Sequence, residues 1–198
     1  MYTFHRSLLS SLAAAAALSV ATAGTATAET GTTGQPSLVH QTPKAPVVID
    51  GARYKPKAIH RFDGQEIHLK LRLGPKGKPE LVVSRTAPNL ISKPPARMSS
   101  PGGHVRFFER INGAGASFTR NHGESVSNLA NVPTGCFIFC WGSFDNLISS
   151  VETNGAHTTL YDGKNFSGSS LEIPEEWDRR NNLSDYSFND RATSLWVD

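Results

Sequence analysis

The C-terminal half of the chain states one pattern twice. Phe144-Asp145-Asn146-Leu147-Ile148-Ser149-Ser150 and Phe188-Asn189-Asp190-Arg191-Ala192-Thr193-Ser194 each give an aromatic, two Asx residues, two free positions and two hydroxyl residues. Upstream of each, Phe108-Glu-Arg-Ile-Asn112-Gly-Ala-Gly115-Ala-Ser117-Phe118 lies on Tyr161-Asp-Gly-Lys-Asn165-Phe-Ser-Gly168-Ser-Ser170-Leu171 without a gap. Both halves then run through Asn-Leu, at Asn128-Leu129 and Asn182-Leu183. The interval from Leu129 to Asp145 is 16 residues against 6 from Leu183 to Asn189, so the first copy carries a ten-residue insertion, from about Val132 to Trp141. Short β-prone runs, turn residues at each break and scarcely any helical periodicity predict an all-β fold, two similar antiparallel units packed as a sandwich. The first unit is placed at 104–155 and the second at 156–198.

The other half reads differently. Met1 to Arg6 carry a cation, Ser7 to Ser19 form an apolar Leu/Ala run, and Ala26-Thr27-Ala28 is a small-x-small cleavage site before Glu29. Residues 1–28 are therefore expected to be a secretory signal peptide, giving a secreted, soluble chain. No later segment approaches the roughly 20 apolar residues that a membrane-spanning helix needs. Residues 29–46, rich in Thr, Gly, Gln and Pro, predict a disordered leader. Within 47–90, Val47-Val48-Ile49 before Asp50-Gly51 reads as a strand into a tight turn. Ile67, Leu69, Leu71 and Leu73 alternate with His68, Lys70 and Arg72 as a half-buried strand. This small β-rich segment buries little by itself and is expected to lean on the C-terminal domain or on a second copy. A Pro/Gly linker follows at 91–103.

Charge separates the two halves. Residues 29–103 hold 12 Lys/Arg against 5 Asp/Glu, whereas residues 104–198 hold 7 against 12. The half with the repeated Asx clusters is the acidic one, as a cation-binding module should be. The two cysteines, Cys136 and Cys140, lie inside the insertion. Four residues of extended strand span roughly 13 Å, whereas a disulfide needs Cα atoms within about 7 Å, so a bridge requires a turn there. Export favours the bridge; the alternative is a pair of buried, inert thiols.

Tyr161-x4-Phe166-x-Gly168 followed by Asn189-Asp190-Arg191-Ala192-Thr193-Ser194 resembles the Greek key motif of the βγ-crystallin superfamily, and Asp145 to Ser150 fits the same Asx-Asx-x-x-(Ser/Thr)-Ser pattern. The resemblance covers 104–198 and implies a double Greek key sandwich of the microbial calcium-binding type. It also implies the ligands: Asp145, Asn146, the Leu147 carbonyl and Ser149 from one copy, and Asn189, Asp190, the Arg191 carbonyl and Thr193 from the other. Hairpin residues near Glu109 and Asp162 are weaker candidates. With one carboxylate per cluster, the expected Ca²⁺ affinity is weak, roughly 10⁻⁵ to 10⁻³ M. The alternative is that these clusters are Asx turns bonding their own backbone. The first copy departs from the second at Gly113, which stands where the second has Phe166.

Catalytic chemistry is not readable. His104, His122 and His157 have no metal-ligand spacing to another His or Cys, and Glu175, Glu176 and Asp178 stand beside Arg179 and Arg180 as an expected surface charge cluster. Phe137, Phe139 and Trp141 are expected to be buried in the sandwich or under the insertion, the alternative being an exposed aromatic contact surface. The chain is therefore read as no enzyme and no nucleic-acid binder. Two other functions occur on the fold that the resemblance implies. One is a secreted inhibitor of a metalloproteinase, suggested by the segment 182–194. The other is an antimicrobial or killer-toxin-like action, with the basic segment meeting an anionic cell-wall polymer.

Overall fold

Short runs of β-branched, aromatic or alternating apolar residues, many of them ending at a Gly or Asx turn, become strands. The computed structural model describes residues 39–88, 102–136, 140–175 and 180–198. The expected signal peptide, the leader as far as residue 38, most of the linker, Phe137, Phe139, Glu176 and Asp178 lie outside the described residues, as do the side chains of Cys136 and Cys140. Among the described residues, no helix is long and apolar enough to cross a membrane.

The N-terminal segment forms β1 (Val47–Ile49), β2 (Ala52–Tyr54), β3 (His68–Leu73) and β4 (Pro79–Ser84). The first repeat unit supplies β5 (His104–Arg110), β6 (Ala114–Asn121) and β7 (Ser125–Val126). Its insertion holds the hairpin β8 (Gly135–Cys136) and β9 (Cys140–Trp141), and the unit closes with β10 (Ser150–Asn154). The second unit supplies β11 (Thr158–Tyr161), β12 (Ser170–Ile173), β13 (Arg180–Asn182) and β14 (Ser194–Val197).

Two sheets result. One has the order β13-β10-β5-β6 and the other β2-β1-β4-β3-β12-β11-β14-β7. Each repeat unit keeps three of its four strands together and lends its third, β7 or β13, to the other unit's sheet. That reciprocal loan is a double Greek key, in which neither unit can be completed without the other.

The N-terminal strands continue the second sheet. β3 pairs in parallel with β12, Leu69 opposite Leu171 and Lys70 opposite Glu172. Following the registers across all eight strands gives one unbroken row, Ala52, Ile49, Val83, Leu69, Leu171, Leu160, Leu195 and Val126. Because cross-strand partners share a face, this row is the core side of the sheet. Leu69, Leu160, Leu171 and Leu195 are at most 2% exposed, in one cluster with Val105, Phe107 and Val151 from the other sheet.

The disordered leader expected at 29–46 needs correction at its end. His40 and Ala45 are buried. The Lys44 and Ala45 amides donate to Asp185 O, and Gln41 Nε2 donates to Asn189 O at 3.2 Å. His40 Nε2 bonds the Phe62 and Gln65 carbonyls, while its Nδ1 faces Arg191. Burial, and then the Arg191 charge, push the His40 pKa below its ordinary value. Composition could not show this, because the strap is held by hydrogen bonds to residues distant in the chain, at His40 to Phe62 and Gln65 and further on to Asp185 and Asn189, rather than by apolar pattern.

The hairpin β8–β9 sets Cys136 directly opposite Cys140. Trp141, expected to be buried, is 61% exposed.

The seam between β3 and β12 also carries charge. Lys70 Nζ and His157 Nε2 both approach Glu172 Oε1, at 2.5 and 3.4 Å. Burial alone would raise the Glu172 pKa, but the hydrogen bonds and charges of His157 and Lys70 overcome it and hold the carboxyl at about 2, below its ordinary 4.5. A depressed carboxylate stabilises the fold fully above the unfolded value and loses that contribution as pH falls from about 4.5 through about 2. Glu172→Gln should therefore flatten the acid limb of stability between those values, measured by urea unfolding from pH 5 to 2. Leu69→Ala should cost about 2–5 kcal/mol and lower one cooperative transition for both the N-terminal strands and the Greek keys, followed by circular dichroism and tryptophan fluorescence.

Candidate metal centre at the paired Asx loops

Both Asx clusters fold the same way. From Phe144 to Ser150 exposure runs buried, half-buried, exposed, half-buried, then three buried residues, and Phe188 to Ser194 repeats that order. The second Asx of each copy has a left-handed backbone, Asn146 at φ 53° and Asp190 at φ 52°. Asn and Asp tolerate that region better than other side chains with a Cβ. It turns the chain so that the following apolar residue, Ile148 or Ala192, enters the core.

The two loops then bind each other. Asn146 N donates to Ala192 O at 2.9 Å and Asp190 N donates to Ile148 O at 3.2 Å. Ser149 Oγ donates to Asp190 Oδ1 at 2.8 Å, and in the mirrored position Thr193 Oγ1 donates to Asn146 Oδ1 at 3.4 Å. The fifth position of each copy therefore meets the second position of the other. This produces two related oxygen clusters, one around Ser149 and Asp190 and one around Thr193 and Asn146. Asn189 Nδ2 donates to Asp190 Oδ2 at 2.6 Å. Leu147 and Arg191 hold the first free position in each copy, the place whose carbonyl is expected to act as a ligand.

The sixth position does separate work. Ser150 Oγ donates to Arg110 O at 2.6 Å and accepts from Gly113 N at 3.0 Å. Ser194 Oγ donates to Gly163 O at 2.6 Å and accepts from Phe166 N at 3.0 Å. Each serine clamps the first hairpin of its own copy beneath the Asx loop. At the turn of that hairpin Gly113 has φ 70° and Phe166, its counterpart, φ 61°. A bulky residue there costs about 1–2 kcal/mol, and in the second copy Phe166 offsets it by packing its ring edge-on against Tyr161 and Trp196, at 5.9 and 5.7 Å. The glycine of the first copy relieves the same strain, which accounts for the difference between the copies.

Gly115 and Gly168, at φ 80° and 76°, lie against the carboxylates of Glu109 and Asp162, where a Cβ would collide with either side chain. These two acids, the weaker ligand candidates, are already engaged. Glu109 Oε2 accepts from Ala116 N at 3.0 Å. Asp162 Oδ2 pairs with Arg191 Nη2 at 2.6 Å, both side chains about 15% exposed, and the guanidinium also bonds Ser187 O and stacks over Phe188. The Arg191 charge is thus neutralised by Asp162 instead of pointing into the loop.

The first Asx of each copy supplies the test of whether a cation fits. Asp145 Oδ1 and Asn189 Oδ1 are buried, and neither has a hydrogen-bond partner among the described residues. Buried oxygens without partners are costly and rare, and here they occur at the same position of both copies. The donors gathered around the loops are carboxylate, amide, hydroxyl and carbonyl oxygens, the set a hard cation prefers. Among the described residues no three His, Cys, Asp or Glu side chains converge as a metal site, so any ion here would be held largely by neutral oxygens.

The segment 182–194, considered above as an inhibitory loop, is built into the fold. Leu183, Tyr186, Ser187, Phe188 and Ala192 are all buried.

Strand order and paired loops together define a βγ-crystallin fold over 104–198. The chain is similar to solved βγ-crystallin domains: one described as the eye-lens domain fold (18% identity, TM-score 0.40, 49% of this chain and 86% of that one) and one from Ciona intestinalis (21%, 0.38, 48% and 99%). Another, from Flavobacterium johnsoniae, is 24% identical at a TM-score of 0.35, over 48% of this chain and 92% of that one. No protein-family model matches the chain, nor does any curated protein.

Removing one clamp hydroxyl leaves a part-buried carbonyl and a part-buried amide without their partner. Ser150→Ala and Ser194→Ala should each destabilise by roughly 1–3 kcal/mol, read from urea midpoints at constant slope, whereas Ser167→Ala, whose hydroxyl bonds only within an exposed turn, should cost less.

Proposed function

We propose that this chain is a secreted, non-enzymatic calcium-binding protein whose two Asx loops hold Ca²⁺ jointly. The observation that carries the reading is the pair of buried, unpartnered oxygens at Asp145 and Asn189, in loops that already exchange Ser149 with Asp190 and Thr193 with Asn146. Without an ion these loops are closed by hydroxyl-to-carboxylate and hydroxyl-to-amide bonds. Rotating the Ser149 and Thr193 hydroxyl protons away would turn the same oxygens into ligands, with the Leu147 and Arg191 carbonyls completing the set. A bound ion would tie the two Greek keys together at the point where their backbones cross. Pairing with Asp162 neutralises Arg191, so it opposes binding less than a free Arg would.

Ca²⁺ at about a hundred times its dissociation constant stabilises the folded state by about 2.7 kcal/mol per site. Thermal unfolding in excess Ca²⁺ and in chelator should therefore differ by several degrees in the parent chain. The same comparison in an Asp145→Ala, Asp190→Ala variant should show most of that difference gone. An unchanged midpoint in the parent would reduce the Asx loops to structural turns.

A further inference from the structure

The N-terminal strands bring their cations to one end of the sheet. Tyr54, Val47, Leu81 and Leu71 lie side by side across β2, β1, β4 and β3. Lys55, which follows Tyr54, therefore shares an end of the sheet with Arg72, Lys76 and Lys78 around the β3–β4 turn. Lys55 and Lys78 flank the intervening β1, roughly 10 Å apart at two strand spacings. Lys55, Lys57, Arg61, Lys76 and Lys78 are all exposed, and none of them has an ion-pair partner among the described residues.

Beside β2 this end opens into a groove of about 570 Å³ lined by Tyr54, Lys55, Lys57, Ala58, His60 and Arg61. Arg61 rests on the Tyr54 ring, 4.9 Å from its centre. Stacking occupies the face of the guanidinium and leaves its edge of N–H donors for a planar or tetrahedral oxyanion. His60 is held between Thr42 Oγ1 and Asp63 Oδ2, and Asp63 also accepts from His40 N, so the nearest carboxylate is already engaged. An added peptide strand is disfavoured here, because β2 has only three residues and runs into Lys55-Pro56.

We propose that this basic end binds an anionic polymer bearing repeated phosphate groups. Arg61 takes a phosphate through its fork of donors, and the lysines meet successive phosphates as point charges. The site is independent of the Asx loops, and its binding needs no calcium.

Binding of long-chain inorganic polyphosphate to the full chain, in calcium-free buffer at about 0.15 M salt, tests this. Lys57→Glu with Arg61→Glu should weaken binding by about tenfold or more, and affinity should fall steeply with added salt. Arg110→Glu with Arg120→Glu, an equal charge change on the other sheet, should have little effect. Overturning results would be no binding of polyphosphate, equal losses in both double variants, or polyglutamate, which carries no phosphate, bound as tightly as polyphosphate. Lys57 and Arg61 are exposed in the groove, and matched thermal midpoints establish that the variants fold.

Discussion

The whole C-terminal domain turns on one crossing of the backbone. Asn146 donates to Ala192 and Asp190 donates to Ile148, and from that crossing each loop sends its next residues in opposite directions. The fifth residue reaches the other copy and the sixth returns to the hairpin of its own. The accepting residues, Ile148 and Ala192, are fully buried, so their carbonyls depend on these two amides for partners and hold the crossing in place. The strand exchange, the hairpin clamps and the oxygen clusters all inherit their positions from it. Because the left-handed turn at Asn146 and Asp190 sets the crossing up, the second Asx is needed for folding whether or not a cation ever arrives.

Local chemistry made this half legible. A seven-residue cluster present in two copies carries its own internal check, since turn-forming Asx, clamp serines and buried aromatics recur in order. Gly115 and Gly168 announced the positive φ that the hairpins adopt. What stayed invisible was who occupies a charged side chain. Glu109 and Asp162 stand at equivalent places in the sequence, yet one caps a backbone amide and the other neutralises Arg191. Nothing along the chain specifies which acid meets a residue 29 positions further on.

The N-terminal half was legible as strands but not as a partner. Alternation from Ile67 to Leu73 marks an amphipathic strand, but a parallel pairing with residues about a hundred positions later leaves no local mark. Burial supplies the reason it forms. The apolar face of β1–β4 is too small to fold by itself, and β12 offers an open side with Leu171 and Ile173 already turned inward. The strap at His40 to Ala45 was hidden for a related reason. Its bonds to Asp185 and Asn189 depend on carbonyls that only the finished second unit presents.

Extending the sheet also changes which edges face solvent. A double Greek key ending at β12 would expose a four-residue strand of Ser, Leu, Glu and Ile, a template on which another chain's strand could grow. With β3 paired there, the ends of the eight-stranded sheet become β2, three residues followed by Lys-Pro, and β7, two residues long. Both are too short to nucleate lateral growth, and one is surrounded by like charge. The added strands therefore act as a stopper as much as a domain: they convert a sheet that could polymerise into one whose ladder has no free end worth joining.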